Sequence, residues 1–291
     1  MTRLFFTALC FLMLSTAQGQ MNMEKAFVYF DEEGNSTNAN ELLKAAQEAD
    51  IIFFGELHNN PISHWLQLEL VKALHASNDG KIILGAEMFE ADNQLLMDEY
   101  LKGTIPVKNF EQEARLWNNY QTDYKPLVEF AKANGLHFAA TNIPRRYANL
   151  VFREGMEGLE ALNDEAKRYI APLPFPYDAD LPGYKKMIEM MGGHGGPSTA
   201  NLPKAQASKD ATMAHFIKEA FKPDHKLIHF NGAYHSDYFD GINWYLKQYA
   251  PDLKIMTIST VEQEVLDTLQ EESKGKANFI IAVPANMTKT Y

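Results

Sequence analysis

The chain has almost no cysteine, and the one that it has lies close to its beginning. Cys10 is the single cysteine among 291 residues. It falls inside an apolar run, residues 4–14, that follows Arg3 and precedes small residues, which is the order of a secretory signal peptide. We expect cleavage after Ala17 or Gly19, which removes Cys10. The exported chain then has no disulfide, no thiol nucleophile and no thiolate metal ligand.

Long apolar runs and an excess of positive charge are also missing. The leader run is shorter than the roughly 20 residues needed to cross a bilayer, and no later run approaches that length. The net charge is -11, which argues against nucleic acid or an anionic membrane surface as the main partner. Hydrophobic residues make up 46% of the chain, which is enough for a packed core and argues against disorder.

Several catalytic motifs are absent as well. The sequence contains no G-x-S-x-G elbow, no P-loop, no H-E-x-x-H pair and no G-x-G-x-x-G after its first predicted strand. These absences remove the support for a nucleophilic serine, for nucleotide binding and for a helix-borne zinc site. What remains is acid–base chemistry by carboxylates and imidazoles.

Short apolar runs alternate with helical patterns through the chain and predict an α/β fold, with a mostly parallel sheet flanked by helices. Continuous apolar runs suit strands that are buried on both faces of such a sheet. The predicted strands are residues 51–54, 82–84, 136–140, 227–230, 255–258 and 279–283. The predicted helices are residues 61–75, 93–101, 124–133, 204–221, 237–249 and 261–271.

One long stretch interrupts this alternation. Residues 172–203 are rich in Pro, Gly, Met and Tyr and separate the third predicted strand from the fourth. A connection of this length between core strands usually forms a subdomain or a binding loop. We therefore expect a signal peptide at residues 1–19, an α/β core at 20–149 and 204–291, and a small helical insertion at 150–203 over the carboxyl edge of the strands.

Polar residues follow four successive predicted strands, in the sequences GELH, GAE, TNIPR and NGAYH. Loops at the carboxyl ends of parallel strands converge, so we expect Glu56, His58, Glu87 and His235 to form one core site. Each of them alone could be an ordinary solvated loop residue, and their shared position is the signal. Two carboxylates and two imidazoles can activate water, either directly or through a divalent metal held by His58 and His235.

The longer motifs resemble a known family. Six stretches together resemble the ChaN-like proteins, a haem-binding uptake family of the Tiki superfamily. They are GELHNNPISHWLQLELVKAL, LGAEMFEADNQ, the stretch around Trp117 and Tyr124, ATNIPRR, AQASKDATMA and HFNGAYHSDY. The motifs occur in the family's order, and Asp210 matches its aspartate in KDATMA. The chain departs from the family at Leu57, where a bulkier charged residue is typical, and in the insertion, which does not align.

The resemblance implies a haem-binding protein of iron and haem acquisition, exported to the periplasm or cell envelope. Outer-membrane haem transport components are then possible partners, and the charge balance gives no support for nucleic acid. The resemblance also links Glu56, His58, Glu87 and His235 to the erythromycin esterases and Tiki proteases, where equivalent positions serve hydrolysis. A hydrolase of this type, with or without a metal, is therefore the alternative function, and a binding protein with an inert core site is a third.

Haem needs an apolar slot, an axial ligand and a cation near its propionates. We expect Tyr184 and His194 as the best axial ligands. Tyr177 and the Met190 and Met191 pair rank behind them, and Arg145 or Arg146 is expected to meet a propionate. Tyr184 and Met190 could instead form the apolar face of a short helix. An exposed haem would be shielded by a second copy, so haem is expected to promote a homodimer with the insertion at its interface.

Overall fold

The structure is a computed structural model that describes residues 25–190 and 200–291. The predicted leader, Met191 and His194 lie outside the described residues, as does the Met190 side chain. The described strands form one sheet: β1 Val28–Asp31, β2 Ser36–Thr37, β3 Ile51–Glu56, β4 Ile82–Glu90, β5 Phe138–Asn142, β6 Lys226–Gly232, β7 Ile255–Gln263 and β8 Phe279–Pro284.

Helices cover both faces of this sheet. They are α1 Ala39–Glu48, α2 Pro61–Ser77, α3 Gln94–Leu101, α4 Val107–Glu113, α5 Lys125–Ala133, α6 Arg145–Glu154, α7 Asp164–Lys167, α8 Pro182–Met190, α9 Leu202–Ala220 and α10 Ile242–Tyr249. A π-helical turn, Tyr120–Tyr124, precedes α5. Within residues 25–190 and 200–291, no helix is both long enough and apolar enough to cross a membrane.

The strand order is β2-β1-β8-β7-β3-β6-β4-β5, and the predicted α/β class with a mostly parallel sheet is confirmed. Only β1 runs antiparallel to its neighbours, β2 and β8. All six predicted strands are present. Every residue of the central strand β3 is buried, because helices pack on both faces of the sheet. This double burial explains why β3 reads as a continuous apolar run.

The predicted helix at residues 261–271 is wrong. β7 continues to Gln263, and its residues 258–263 pair with β8 in parallel register. Leu266 and Leu269 then pack against Phe30 rather than along a helix face. The prediction also missed β1, β2 and α1, since strands of four and two residues are too short to show a period.

The residues between β5 and α9 pack onto one face of the sheet. Leu159, Ile170, Phe175 and Tyr184 are buried in the same apolar cluster as residues of α9 and α10. The predicted insertion therefore contributes to the core on that face. Its boundaries at 150 and 203 stay a prediction.

Candidate functional site

Glu56 ends β3 in a buried position. Its Oε1 accepts a hydrogen bond from the Tyr124 hydroxyl at 2.7 Å, and its Oε2 accepts one from Gln67 Nε2 at 2.6 Å. Gly55 permits this close packing, because a Cβ there would lie 2.9 Å from the Ala233 Cα. Glu56 is therefore fixed by partners from α2 and from the π-helical turn.

His58 lies beside Glu56 and reaches toward the neighbouring strand β6. Its Nδ1 is 3.0 Å from Glu56 Oε1, and its carbonyl accepts from Asn119 Nδ2 at 2.8 Å. A Cβ on Gly232 would lie 2.7 Å from the His58 ring, so the ring covers that glycine. Burial lowers the pKa of His58, but the hydrogen bond to Glu56 and the nearby Glu87 carboxylate raise it above its usual value.

Glu87, His235 and Asp210 form a second buried group. His235 Nε2 is 3.1 Å from Glu87 Oε1, and His235 Nδ1 is 2.5 Å from Asp210 Oδ1. The Gly232 N–H donates to Glu87 Oε2 at 2.8 Å, and the Tyr184 hydroxyl donates to Asp210 Oδ2 at 2.8 Å. A continuous hydrogen-bond chain thus runs from β6 to helix α8.

The two carboxylates decide the charge of His235. Burial by itself would lower the pKa of His235, but Glu87 and Asp210 raise it to about 9. Burial likewise opposes ionisation of Glu87, yet His235 holds the pKa of Glu87 well below its usual range. The group is therefore a carboxylate–imidazolium–carboxylate triad at neutral pH.

The expected divalent-metal site at His58 and His235 stays a prediction, and the geometry of the described residues fits it poorly. Both nitrogens of His235 are occupied by carboxylates, and an imidazolium has no lone pair for a metal. In the part of the chain that the structure describes, no group of three or more His, Cys, Asp or Glu side chains is placed to hold a metal ion. The core site can supply acids, a base and hydrogen bonds.

Two adjoining cavities open beside this site. The inner cavity has a volume of about 470 Å³ and is lined by His58, Glu87, Glu90, Trp117, Asn142, Ile143, Arg145, Ala148, Gln206, Lys209, Gly232, Tyr234 and His235. The arginine groove has a volume of about 660 Å³ and is lined by Glu90, Arg115, Leu116, Trp117, Asn118, Asn119, Arg145, Arg146 and Tyr291. Glu90, Trp117 and Arg145 belong to both linings.

Of the four predicted core residues, His58, Glu87 and His235 face the inner cavity, and Glu56 contacts His58 from behind. The structure thus brings the four side chains together at the carboxyl ends of β3, β4 and β6.

The expected haem residues are more scattered. Arg145 and Arg146 are exposed and line the arginine groove. Tyr184 is only 3% exposed, and its hydroxyl donates to Asp210. Tyr177 is half-buried and stacks on Tyr184, with ring centroids 5.8 Å apart. In this arrangement Tyr184 does not lie at a surface slot, and ligation by Tyr184 requires α8 to leave its place against α9.

Several site residues were missed by sequence reasoning. Tyr124, Gln67 and Asn119 bind Glu56 or the His58 carbonyl, and His64 lies beside the same carbonyl. Its Nε2 lies 3.1 Å from the His58 carbonyl and 3.5 Å from Asp123 Oδ2. His64 and Gln67 stand three residues apart on a buried helix face, and that polar pair is the signal that could have identified them.

The fold and this site define an α/β protein with an imidazole and carboxylate cluster at the carboxyl edge of its sheet. The chain belongs to the family described as haem-binding uptake, Tiki superfamily, ChaN, which matches residues 42–246.

Solved structures and a plant protein are similar to the chain at low identity. The structure of ChaN of Campylobacter jejuni, reported with cofacial haem, aligns with a TM-score of 0.66 at 16% identity and covers 88% of this chain and 96% of that one. A succinoglycan biosynthesis protein aligns with a TM-score of 0.50 at 12% identity, covering 84% and 90%. Protein RETICULATA-RELATED 5, chloroplastic, of Arabidopsis thaliana is 24% identical over an alignment of 206 residues, and the match covers 65% of this chain and 28% of the plant protein.

Proposed function

We propose that this chain is an exported haem-binding protein of iron and haem acquisition. Membership of the ChaN family supports haem as the ligand. The observation that carries the proposal is the arginine groove, which places three arginines beside the apolar surface of Leu116 and Trp117. A haem presents two carboxylates and a flat apolar ring, and this lining offers partners for both.

The charged residues of the groove differ in how far they are already paired. Arg115 pairs with Glu90, and Arg146 pairs with Asp92 at 2.7 Å. Arg145, in contrast, forms no ion pair with another described residue and is exposed. Arg145 is thus the best partner for a propionate. Arg146 would become the second partner if the other propionate replaced Asp92 in its ion pair.

We keep Tyr184 as the leading axial ligand and His194 as the second, with Tyr177 and Met190 behind them. A tyrosinate is a hard oxygen donor that suits ferric iron. Burial and the Asp210 carboxylate raise the pKa of Tyr184 well above its usual value while it stays in the core. For Tyr184 to bind iron, its hydroxyl would therefore have to leave Asp210 and release its proton to solvent.

Titration of the protein with haemin, followed by absorbance, tests the proposal. Arg145→Leu should weaken binding about tenfold, because a propionate loses a charged partner, whereas Arg153→Leu on the exposed side of α6 should leave it unchanged. Tyr184→Phe should change the haem spectrum and weaken binding, and His194→Ala should weaken it less. Glu56→Gln and His235→Gln should keep haem affinity. A parental spectrum with Tyr184→Phe and a loss of haem with His235→Gln would place the ligand in the core site instead.

Haem is also proposed to promote a homodimer with the insertion at its interface. Sedimentation velocity with and without saturating haemin measures this directly, and an unchanged monomer would refute it.

The proposed export is tested by fractionating the native host and by the mass of the exported chain. We expect a new N-terminus after Ala17 or Gly19.

A hydrolase is the second candidate, and one observation favours it. His58 is oriented by the buried Glu56 and faces the inner cavity, as does the protonated His235. A base and an acid would then face the same ligand, His58 taking a proton from water and His235 stabilising developing negative charge. Ester and peptide substrate panels, with metal analysis, test this. Hydrolysis that is lost in His58→Gln and kept after chelation would support it.

A further inference from the structure

The inner cavity is lined by two cations that form no ion pair with another described residue. Glu87 is paired with His235, and Glu90 is paired with Arg115 at 2.8 Å. Lys209, on α9, and Arg145 also line the cavity and form no ion pair with another described residue. These two cations without an ion pair are available to an anionic ligand, and a partly closed cavity strengthens their attraction for it.

A second feature of the same cavity points to a ligand with a hydrogen-bond donor. Asn142 ends β5, lines the cavity and is 9% exposed. Its Nδ2 donates to the Glu87 carbonyl at 3.0 Å, but its buried Oδ1 has no partner among the described residues. A buried acceptor without a partner costs free energy, which a ligand hydroxyl or amino group would recover.

We propose that the inner cavity binds a small hydroxycarboxylate, with its carboxylate between Lys209 and Arg145 and its hydroxyl donating to Asn142 Oδ1. The volume of about 470 Å³ is sufficient for an acid of four to six carbon atoms. This ligand is separate from haem, because Lys209 and Asn142 belong to the inner cavity and not to the arginine groove. Arg145 stands between the two spaces, so occupancy of one affects the other.

Isothermal titration of the haem-free protein with L-malate tests the proposal, with succinate as the matched acid that lacks the hydroxyl. Malate should bind about tenfold more tightly than succinate, which corresponds to one hydrogen bond to a buried acceptor. Raising the salt concentration should weaken both, since the carboxylate contacts are electrostatic. Lys209→Met should weaken malate binding about tenfold or more. Lys218→Met, on the same helix but outside the cavity, should have no effect.

Equal affinities for malate and succinate would remove the role of Asn142. Unchanged malate binding in Lys209→Met would remove the proposed anion site, and so would an absence of malate binding to the folded wild-type protein. The haemin titration is independent of these results, because Lys209→Met should keep haem affinity. Malate binding without haem binding would refute only the proposed haem function, and the reverse would refute only the hydroxycarboxylate site.

Discussion

The buried triad around His235 predicts an unusual dependence of stability on pH. The pKa of His235 is raised to about 9 in the folded protein, against about 6.5 for an unperturbed histidine. A raised folded pKa stabilises the fold fully below the unfolded pKa, and this stabilisation is lost as the pH rises through the folded pKa. The free energy of unfolding should therefore fall between about pH 6.5 and pH 9.

The magnitude follows from the shift. One pKa unit corresponds to about 1.4 kcal/mol, so a shift of roughly two and a half units predicts a fall of about 3 kcal/mol. The pKa of His58 is also raised, which adds to the same trend. The histidines with lowered pKa values, among them His229 at about 4, are already neutral in both states above pH 6.5 and contribute little there.

Urea unfolding followed by circular dichroism at pH 6, 7, 8 and 9 measures this profile. Asp210→Asn removes one of the two carboxylates that raise the pKa of His235, so the fall with pH should be smaller. The variant should also be less stable at pH 7 by about 3 kcal/mol, the cost of breaking a buried ion pair. Asp252→Asn, at an exposed position, should reproduce the wild-type profile. A flat wild-type profile, or an unchanged slope in Asp210→Asn, would refute the protonated triad.

Two further variants test the packing of the core site. Gly232→Ala places a Cβ 2.7 Å from the His58 ring, so His58 should shift and the free energy of unfolding should fall by about 1–3 kcal/mol. The control is Gly183→Ala, whose Cβ meets only Asp240 at 3.6 Å and which should change the free energy of unfolding in urea little. Tyr124→Phe removes a donor from the buried Glu56 and should cost about 1–3 kcal/mol in the same assay. The buried hydroxyl of Tyr249 has no partner among the described residues, so an equal loss in Tyr249→Phe would show that hydrogen bonding is not the cause.

Much of the fold is predictable because its strands are doubly buried. A strand such as β3 must be apolar at nearly every position, and this signal is local in the sequence. The position of the core residues is predictable for the same reason, since each follows a recognisable strand. The helix predicted at 261–271 was wrong because pairing with β8 is a long-range contact that outweighs local pattern.

The partners of the site residues were harder to predict. Tyr124 reaches Glu56 from a π-helical turn, and no periodic pattern shows which way such a turn presents its side chains. The environment of Tyr184 also depends on tertiary contact. Its burial agrees with the alternative of an apolar helix face, but its hydrogen bond to Asp210 joins residues 26 positions apart and has no signature in the sequence.

If Tyr184 is the axial ligand, as proposed, that hydrogen bond connects haem ligation with the charge of the core site. If the Tyr184 hydroxyl leaves Asp210 to bind iron, Asp210 loses a donor and becomes a stronger partner for His235. A more firmly protonated His235 would hold Glu87 in its ionised form and keep the inner cavity charged. Coupling between two sites is reciprocal, so an anion that binds beside His235 should change the affinity for haem only slightly, by much less than the tenfold loss expected for Arg145→Leu. With Tyr184 as the proposed ligand, the core site and the haem site would then be weakly linked through Asp210, without contact between haem and Glu56, His58 or Glu87.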